Sequence, residues 1–134
     1  MYLLDTNILS ELIKKKPNPK LLQRLKEKPA ESLYTTIISV MELRAGSMRR
    51  KDKDTFWRRI EEEILSRVKI LPIGLEEAIN GGNLLAYLFD EGKPIGIEDI
   101  LIASCAISHN MTVITANTKD FIRLPGVKLE NWLV

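Results

Sequence analysis

Tyr2-Leu3-Leu4-Asp5-Thr6-Asn7-Ile8-Leu9-Ser10-Glu11-Leu12-Ile13 passes from a short apolar run, through three small polar residues, to apolar residues at helical spacing. Tyr2 to Leu4 reads as a buried strand. Asp5-Thr6-Asn7 carries the oxygen-bearing side chains that start helices, and Ile8, Leu9, Leu12 and Ile13 mark one helix face. Strand, polar turn, helix is the unit from which parallel sheets are built, and the rest of the chain repeats it.

Pro17-Asn18-Pro19 breaks the first helix, and Leu21, Leu22 and Leu25 support a short second one closed by Pro29. Leu33 to Thr36 is a second strand candidate, followed by a helix from Ile38 to Arg49. Phe56, Ile60, Ile64 or Leu65, and Val68 recur every three to four residues, which predicts one long amphipathic helix from Asp52 to Val68. Lys69 to Leu71 is a third strand. Leu75 to Phe89 has a helical pattern despite Gly81-Gly82, a pair that suits close packing. After a loop at Gly92-Lys93-Pro94, Ile97 to His109 is a helix apolar nearly all round. Thr112 to Thr115 is a β-branched strand, Asn117 to Ile122 a helical turn and Val127 to Glu130 a last strand. Strands alternating with helices from end to end predict an α/β domain whose sheet is mostly parallel and covered on both faces.

The 134 residues suit one domain, 1–134, and 45% apolar content excludes a wholly disordered chain. A lone cysteine, Cys105, excludes an intramolecular disulfide and a cysteine-rich zinc site. No apolar run approaches the roughly 20 residues of a membrane span, and Asp5 interrupts any signal-peptide pattern, so a cytoplasmic protein away from membranes is expected. The net charge of +2 conceals an asymmetry. Residues 1–69 hold 16 of the 20 basic side chains and 10 of the 18 acids. The excess sits between Lys14 and Lys28 and between Arg44 and Lys69. Either stretch suits a solvated helix face; together they point to a polyanionic partner, with Arg44, Arg49, Arg50 and Lys51 as candidate contacts to a phosphate backbone.

Ligand sites in open parallel sheets lie beyond the carboxyl ends of the strands. Asp5, Glu42, Asp99, and Asn117 with Asp120 all follow a strand or open a helix. Each has a structural alternative. Ser39-Val40-Met41-Glu42 spells a capping box, Asp5, Asn7 and the Asn117–Asp120 pair suit helix caps, and Glu98 with Asp99 answers a helix dipole. Gathered at one sheet edge, however, these carboxylates repel, and a hard divalent cation with oxygen ligands resolves the repulsion. Metal-assisted phosphodiester hydrolysis is the chemistry that follows.

Four segments, Leu3 to Leu12, Ser39 to Gly46, Ile95 to Ala103 and Ile114 to Phe121, occur in the order of the motif blocks of PIN-domain ribonucleases of the VapC toxin type, and the chain resembles that family over nearly its whole length. The resemblance implies a three-layer α/β/α fold with four to five central strands. It also implies Mg²⁺ or Mn²⁺ bound, directly or through water, by the acids at Asp5, Glu42 and Asp99. Many such domains have an Asp where this chain has Asn117, and VapC-like members often place the acid three residues later, where Asp120 stands; one tightly bound ion is the expectation. Thr6, Asn7, Thr115 and Asn117 are implied to support the site. The implied activity is that of an endoribonuclease toxin, homodimeric and neutralised by a VapB-like antitoxin that lays a C-terminal segment over the acids. A catalytically silent RNA- or protein-binding module of the same fold is the alternative. A phosphoryl-accepting receiver domain would need an Asp after a middle strand and a Lys after the last, and that pairing is not evident.

His109, the single histidine, is read as a helix C-terminal residue facing the dipole rather than as a catalyst. Cys105 reads as a buried inert thiol, and Trp57, Trp132, Tyr34 and Tyr87 as core rather than base-stacking residues.

Overall fold

A computed structural model describes residues 1–134. Five strands, β1 (Tyr2–Leu4), β2 (Leu33–Thr36), β3 (Lys69–Leu71), β4 (Thr112–Ile114) and β5 (Lys128–Glu130), form one sheet in the order β3-β2-β1-β4-β5. Every neighbouring pair is parallel, so the expected mostly parallel sheet is wholly parallel. Seven helices accompany it: α1 (Thr6–Leu12), α2 (Pro19–Lys26), α3 (Ile37–Met48), α4 (Lys53–Glu63), α5 (Leu75–Glu91), α6 (Ile97–His109) and α7 (Thr118–Phe121).

Side chains alternate across the pleat, so each central strand feeds two cores. Leu3 and Val113 point into one, packed by Leu84 and Leu88 of α5, Ile102 and Ala106 of α6, and Phe121 of α7. Leu4 and Ile114 point into the other, with Ile8 and Leu9 of α1, Leu21 of α2, Leu43 of α3 and Ile60 of α4. Trp132 closes that second core with no exposed surface, its ring tilted against Tyr2 at 5.0 Å. The result is the three-layer α/β/α arrangement.

Two sequence expectations shift. The long helix over 52–68 ends at Glu63, because Ile64 adopts φ −113° and ψ −62° and Leu65–Arg67 tightens into a 3₁₀ turn. That turn swings Val68 out of the helical path and delivers Lys69 into β3. The Gly81-Gly82 pair has two different members. A Cβ at Gly81 would stand 3.8 Å from Ser104 Oγ and 3.9 Å from Ile100 on α6, whereas nothing lies within 4 Å of Gly82, which is exposed. Gly81 alone therefore faces α6, at a distance where a Cβ would just reach van der Waals contact and a larger side chain would not fit.

The chain builds β1, β2 and β3 outward in one direction, then returns to place β4 and β5 on the other side of β1. The boundary between β1 and β4 is thus a topological switch point, where the connections leaving the carboxyl ends diverge and open a crevice.

The glycine assignment predicts opposite outcomes in urea unfolding. Gly82→Ala raises stability by about 1 kcal/mol through helix propensity. Gly81→Leu lowers it by about 1–3 kcal/mol by forcing α5 and α6 apart.

Candidate functional site

Asp5 ends β1 and caps α1. Its Oδ1 accepts the Thr6 N–H at 2.8 Å, and its Oδ2 accepts the Thr115 hydroxyl at 2.8 Å and the Asn7 amide at 3.3 Å. The carboxylate is buried at 3% exposure. Burial raises its pKa above the usual carboxylate range and the Glu42 charge adds to the rise, against the opposing pull of the hydrogen bonds. The cap reading and the site reading of Asp5 are therefore compatible: one oxygen serves the helix and the other looks toward the end of β4.

Glu42 does not close a capping box. The N-cap of α3 is Thr36, whose hydroxyl accepts the Ser39 N–H at 3.2 Å, so the helix starts three residues before the box would require. Glu42 instead lies a turn further on, and its Oε1 accepts the Thr6 hydroxyl at 2.6 Å. With the Thr6 proton engaged there, the Ser39 hydroxyl, 2.9 Å away, donates to the Thr6 oxygen. Thr6 thereby ties the start of α1 to α3.

Asp99 sits in the first turn of α6, half-buried, where Gly96 provides no side-chain cap. Its Oδ2 accepts the Asn117 amide at 3.0 Å. Burial first, then the charges of Asp5, Glu42 and Asp120, push its carboxyl up to about 6. Asn117 follows β4 and donates through the same Nδ2 to Asp120 at 3.3 Å, while its backbone N–H reaches Thr115 Oγ1 at 2.9 Å. Asn7 completes the ring by accepting the Ala116 N–H at 3.1 Å.

These side chains surround a cavity of about 590 Å³ beyond the carboxyl ends of β1 and β4. Asp5, Thr6, Asn7, Glu42, Asp99 and Asn117 line it. Asp120 does not. It stands at the rim, 4.0 Å from Arg123 and joined to the other acids through Asn117. Ser10, Glu11 and Lys14 also line the cavity and were missed by sequence reasoning. Their signal is the i, i+3, i+4 spacing from Thr6 and Asn7, Ser10 and Glu11 on one face of α1 and Lys14 just past its end, which on its own resembles any polar helix face. Lys14 pairs with Glu11 at 2.9 Å, and this hydrogen bond holds the Glu11 carboxyl below its ordinary range.

The basic candidates lie apart from this cavity. Arg44 stacks over Trp57 at 5.0 Å, and Arg50 forks onto Asp52 at 2.8 and 3.0 Å, while Arg49 and Lys51 are exposed at the end of α3 and beyond it. His109 closes α6, as expected, and gains a partner across to α5: its Nε2 is 3.3 Å from Glu77 Oε1. Cys105 is fully buried and its thiol is pushed up to about 12 by desolvation, which makes it unreactive. Trp132 is buried and Trp57 and Tyr34 are partly buried; Tyr87 is exposed on α5, outside both cores.

The donor set tests whether a divalent cation fits. All side-chain donors in the cavity that are free of a cationic partner are oxygens or amides, and three of them, Asp5, Glu42 and Asp99, are carboxylates. Two of these have raised pKa values to which their neighbours' charges contribute. No three acids already stand close enough to cage an ion. A hard cation completed by water suits such an open oxygen site better than a soft or fully enclosed one.

The PIN domain family model matches residues 2–127. Among curated proteins, the VapC ribonuclease Y4jK of Sinorhizobium fredii is 35% identical over 126 residues, covering 90% of each chain. Ribonuclease VapC2 of Haemophilus influenzae is 34% identical over 98% of each. Among solved structures, VapBC2 from Rickettsia felis bound to a DNA fragment of its promoter superposes with a TM-score of 0.89 at 34% identity over 98% of both chains. FitAcB from Neisseria gonorrhoeae gives 0.89 at 33% over the same coverage. Together with the sheet order and the acids at its switch point, these matches establish that the chain belongs to the PIN domain family and, within it, to the VapC ribonucleases.

Proposed function

We propose that this protein, one PIN domain over residues 1–134, is a Mg²⁺-dependent endoribonuclease that hydrolyses RNA phosphodiester bonds in the cytoplasm as the toxin of a toxin–antitoxin pair, with Mn²⁺ able to substitute. The observation that carries the reading is the convergence of Asp5, Glu42 and Asp99 on one solvent-open cavity at the switch point of a VapC-family chain. Asp5 and Asp99 are the direct or water-mediated ligands and Glu42 the third; Asn117 fills the fourth position inside the cavity, with Asp120 supporting it from the rim. A divalent ion held there would supply Lewis acidity, activating a water and offsetting the charge that develops on the phosphate and the leaving oxygen.

The protein's own groups orient that chemistry. Thr115 and Thr6 each donate to a carboxylate oxygen and so fix which lone pairs of Asp5 and Glu42 remain free. Asn117 holds Asp99 and Asp120 with one neutral amide, which spares the site a further negative charge. The partner of the pair is a VapB-like antitoxin, in keeping with the VapBC assemblies among the solved relatives. Exposed Ile37 and Met41 on α3 and Ile97 on α6 offer apolar surface for a second copy in a homodimer.

Asp5→Asn and Asp99→Asn each abolish metal-dependent cleavage of RNA by purified protein while leaving far-ultraviolet circular dichroism unchanged; cleavage persisting in both would refute the assignment. Stability moves the other way. Because the folded-state pKa of Asp99 is raised from the model-compound 3.8 to about 6, its ionisation destabilises the metal-free fold fully above pH 6 and not at all below 3.8. In EDTA, Asp99→Asn should therefore melt higher than the parent at pH 7.5, with the difference shrinking between pH 6 and 4. By the same sign, calorimetric Mn²⁺ affinity of the parent falls as pH drops below 6. Thr6→Val leaves Glu42 unoriented and weakens Mn²⁺ binding about 10- to 100-fold.

A further inference from the structure

Beside the acidic cavity a second cleft of about 490 Å³ opens between the carboxyl end of α1, the end of α3 and the middle of α4. Ser10, Lys14 and Glu42 line both spaces, so the two are continuous. Charge inverts across that shared boundary. Lys14, Lys15, Arg50 and Arg59 line the second cleft, and Glu42 is the one carboxylate in its wall. Its size lies within the range of small-ligand sites.

Three features shape the cleft for a nucleotide. Arg50 is held flat: its guanidinium lies 3.8 Å from the centre of the Phe56 ring and is forked by Asp52, yet the side chain is 48% exposed. One face of the guanidinium covers the ring and the other is free, which is the platform on which RNA bases stack. Lys15 makes no ion pair, and Lys14 and Arg59 are paired to Glu11 and Glu63 in partly exposed contacts that contribute little to folding and exchange readily for a phosphate. Gly46 supplies the third. A glycine inside a helix is destabilising relative to alanine, and Gly81 at least faces α6, with Ser104 and Ile100 in van der Waals range of a Cβ. Nothing lies within 4 Å of a Cβ at Gly46, which is exposed and borders the cleft. Gly82 is equally open but borders no cavity, so it is the position of Gly46 that matters: a side chain there would occupy the cleft.

We propose that this cleft is a nucleotide subsite. It seats the RNA residue next to the scissile phosphate, with the base on the Arg50–Phe56 stack and its phosphate against Lys15, while Lys14 and Arg59 guard the rim. The subsite rests on the endoribonuclease reading above, and it changes the role of Arg50 from a phosphate contact to a stacking plate.

The full-length protein is tested with a fluorescein-labelled single-stranded RNA of mixed sequence, by anisotropy in EDTA and by cleavage in Mg²⁺. Gly46→Leu, which adds a better helix former, should raise both Kd and KM about tenfold by filling the cleft. Lys15→Ala should reduce the slope of log K against log salt by about 0.7, the loss of one phosphate contact on a single strand. Arg50→Lys keeps the charge and loses the plane, so it should weaken binding about five- to tenfold with the salt slope unchanged. If the parent cleaves RNA and all three variants match it in Kd, KM and slope, the subsite is refuted and the enzyme assignment stands. If the parent does not cleave RNA at all, the enzyme assignment falls, and the subsite falls with it.

Discussion

A carboxylate with almost no exposed surface, at the carboxyl end of the central strand, sets the terms for the rest of the molecule. An ionised Asp in that position is tolerable only if its oxygens are hydrogen-bonded. Asp5 obtains its donors from both sides of the crevice: the Thr6 N–H and the Asn7 amide from α1, and the Thr115 hydroxyl from the end of β4. Each donor is then used again. Thr6 reaches Glu42, Asn7 accepts from Ala116, and Thr115 accepts from Asn117. The turn after β4 and the docking of α3 on α1 are therefore built outward from one buried charge.

The hydrogen bonds do not fully compensate, since the pKa of Asp5 remains raised and that of Asp99 reaches about 6. The residual tension is electrostatic and local. It is held in place by the two apolar cores on either side of the sheet, which bury Leu3 and Leu4 completely and leave the polypeptide no freedom to move the acids apart. The Asn117 amide gives Asp99 a partial answer. A bound cation would remove the rest, so the repulsion that weakens the fold would itself be a source of affinity for a metal.

The sequence was informative where structure is local. Tyr2 to Leu4 and Thr112 to Ile114 are short β-branched or apolar runs, and each is followed by side chains that suit a helix start, so strands, helices and the acids after them could be read from period and chemistry. Strand order could not, because the placement of β4 beside β1 depends on which face of the sheet each connection packs against. Glu42 shows a finer limit. Thr36 and Ser39 are both competent N-caps; in the fold both side chains are buried and Thr36 caps α3, accepting the Ser39 N–H, which leaves Glu42 free for Thr6. Ser10, Glu11 and Lys14 escaped notice for the opposite reason: a polar stripe on α1 looks the same whether it faces bulk water or a cavity.

The near-balance of charge acquires a spatial meaning at that stripe. Lys14, just past the end of α1, lines both clefts and is bound to Glu11, so a neutralised pair stands between an acidic cavity and a basic one. A polyanion approaching the acids alone would be repelled; one approaching the basic cleft alone would be held with its backbone away from the acids. Continuity of the two clefts would let the cations compensate one part of such a polyanion while a metal compensated the next, with screening confining each field to about 8–10 Å, roughly its own cleft. Within the near-neutral total of +2, two opposed fields thus stand side by side, an arrangement that would align a phosphate backbone with the carboxylates.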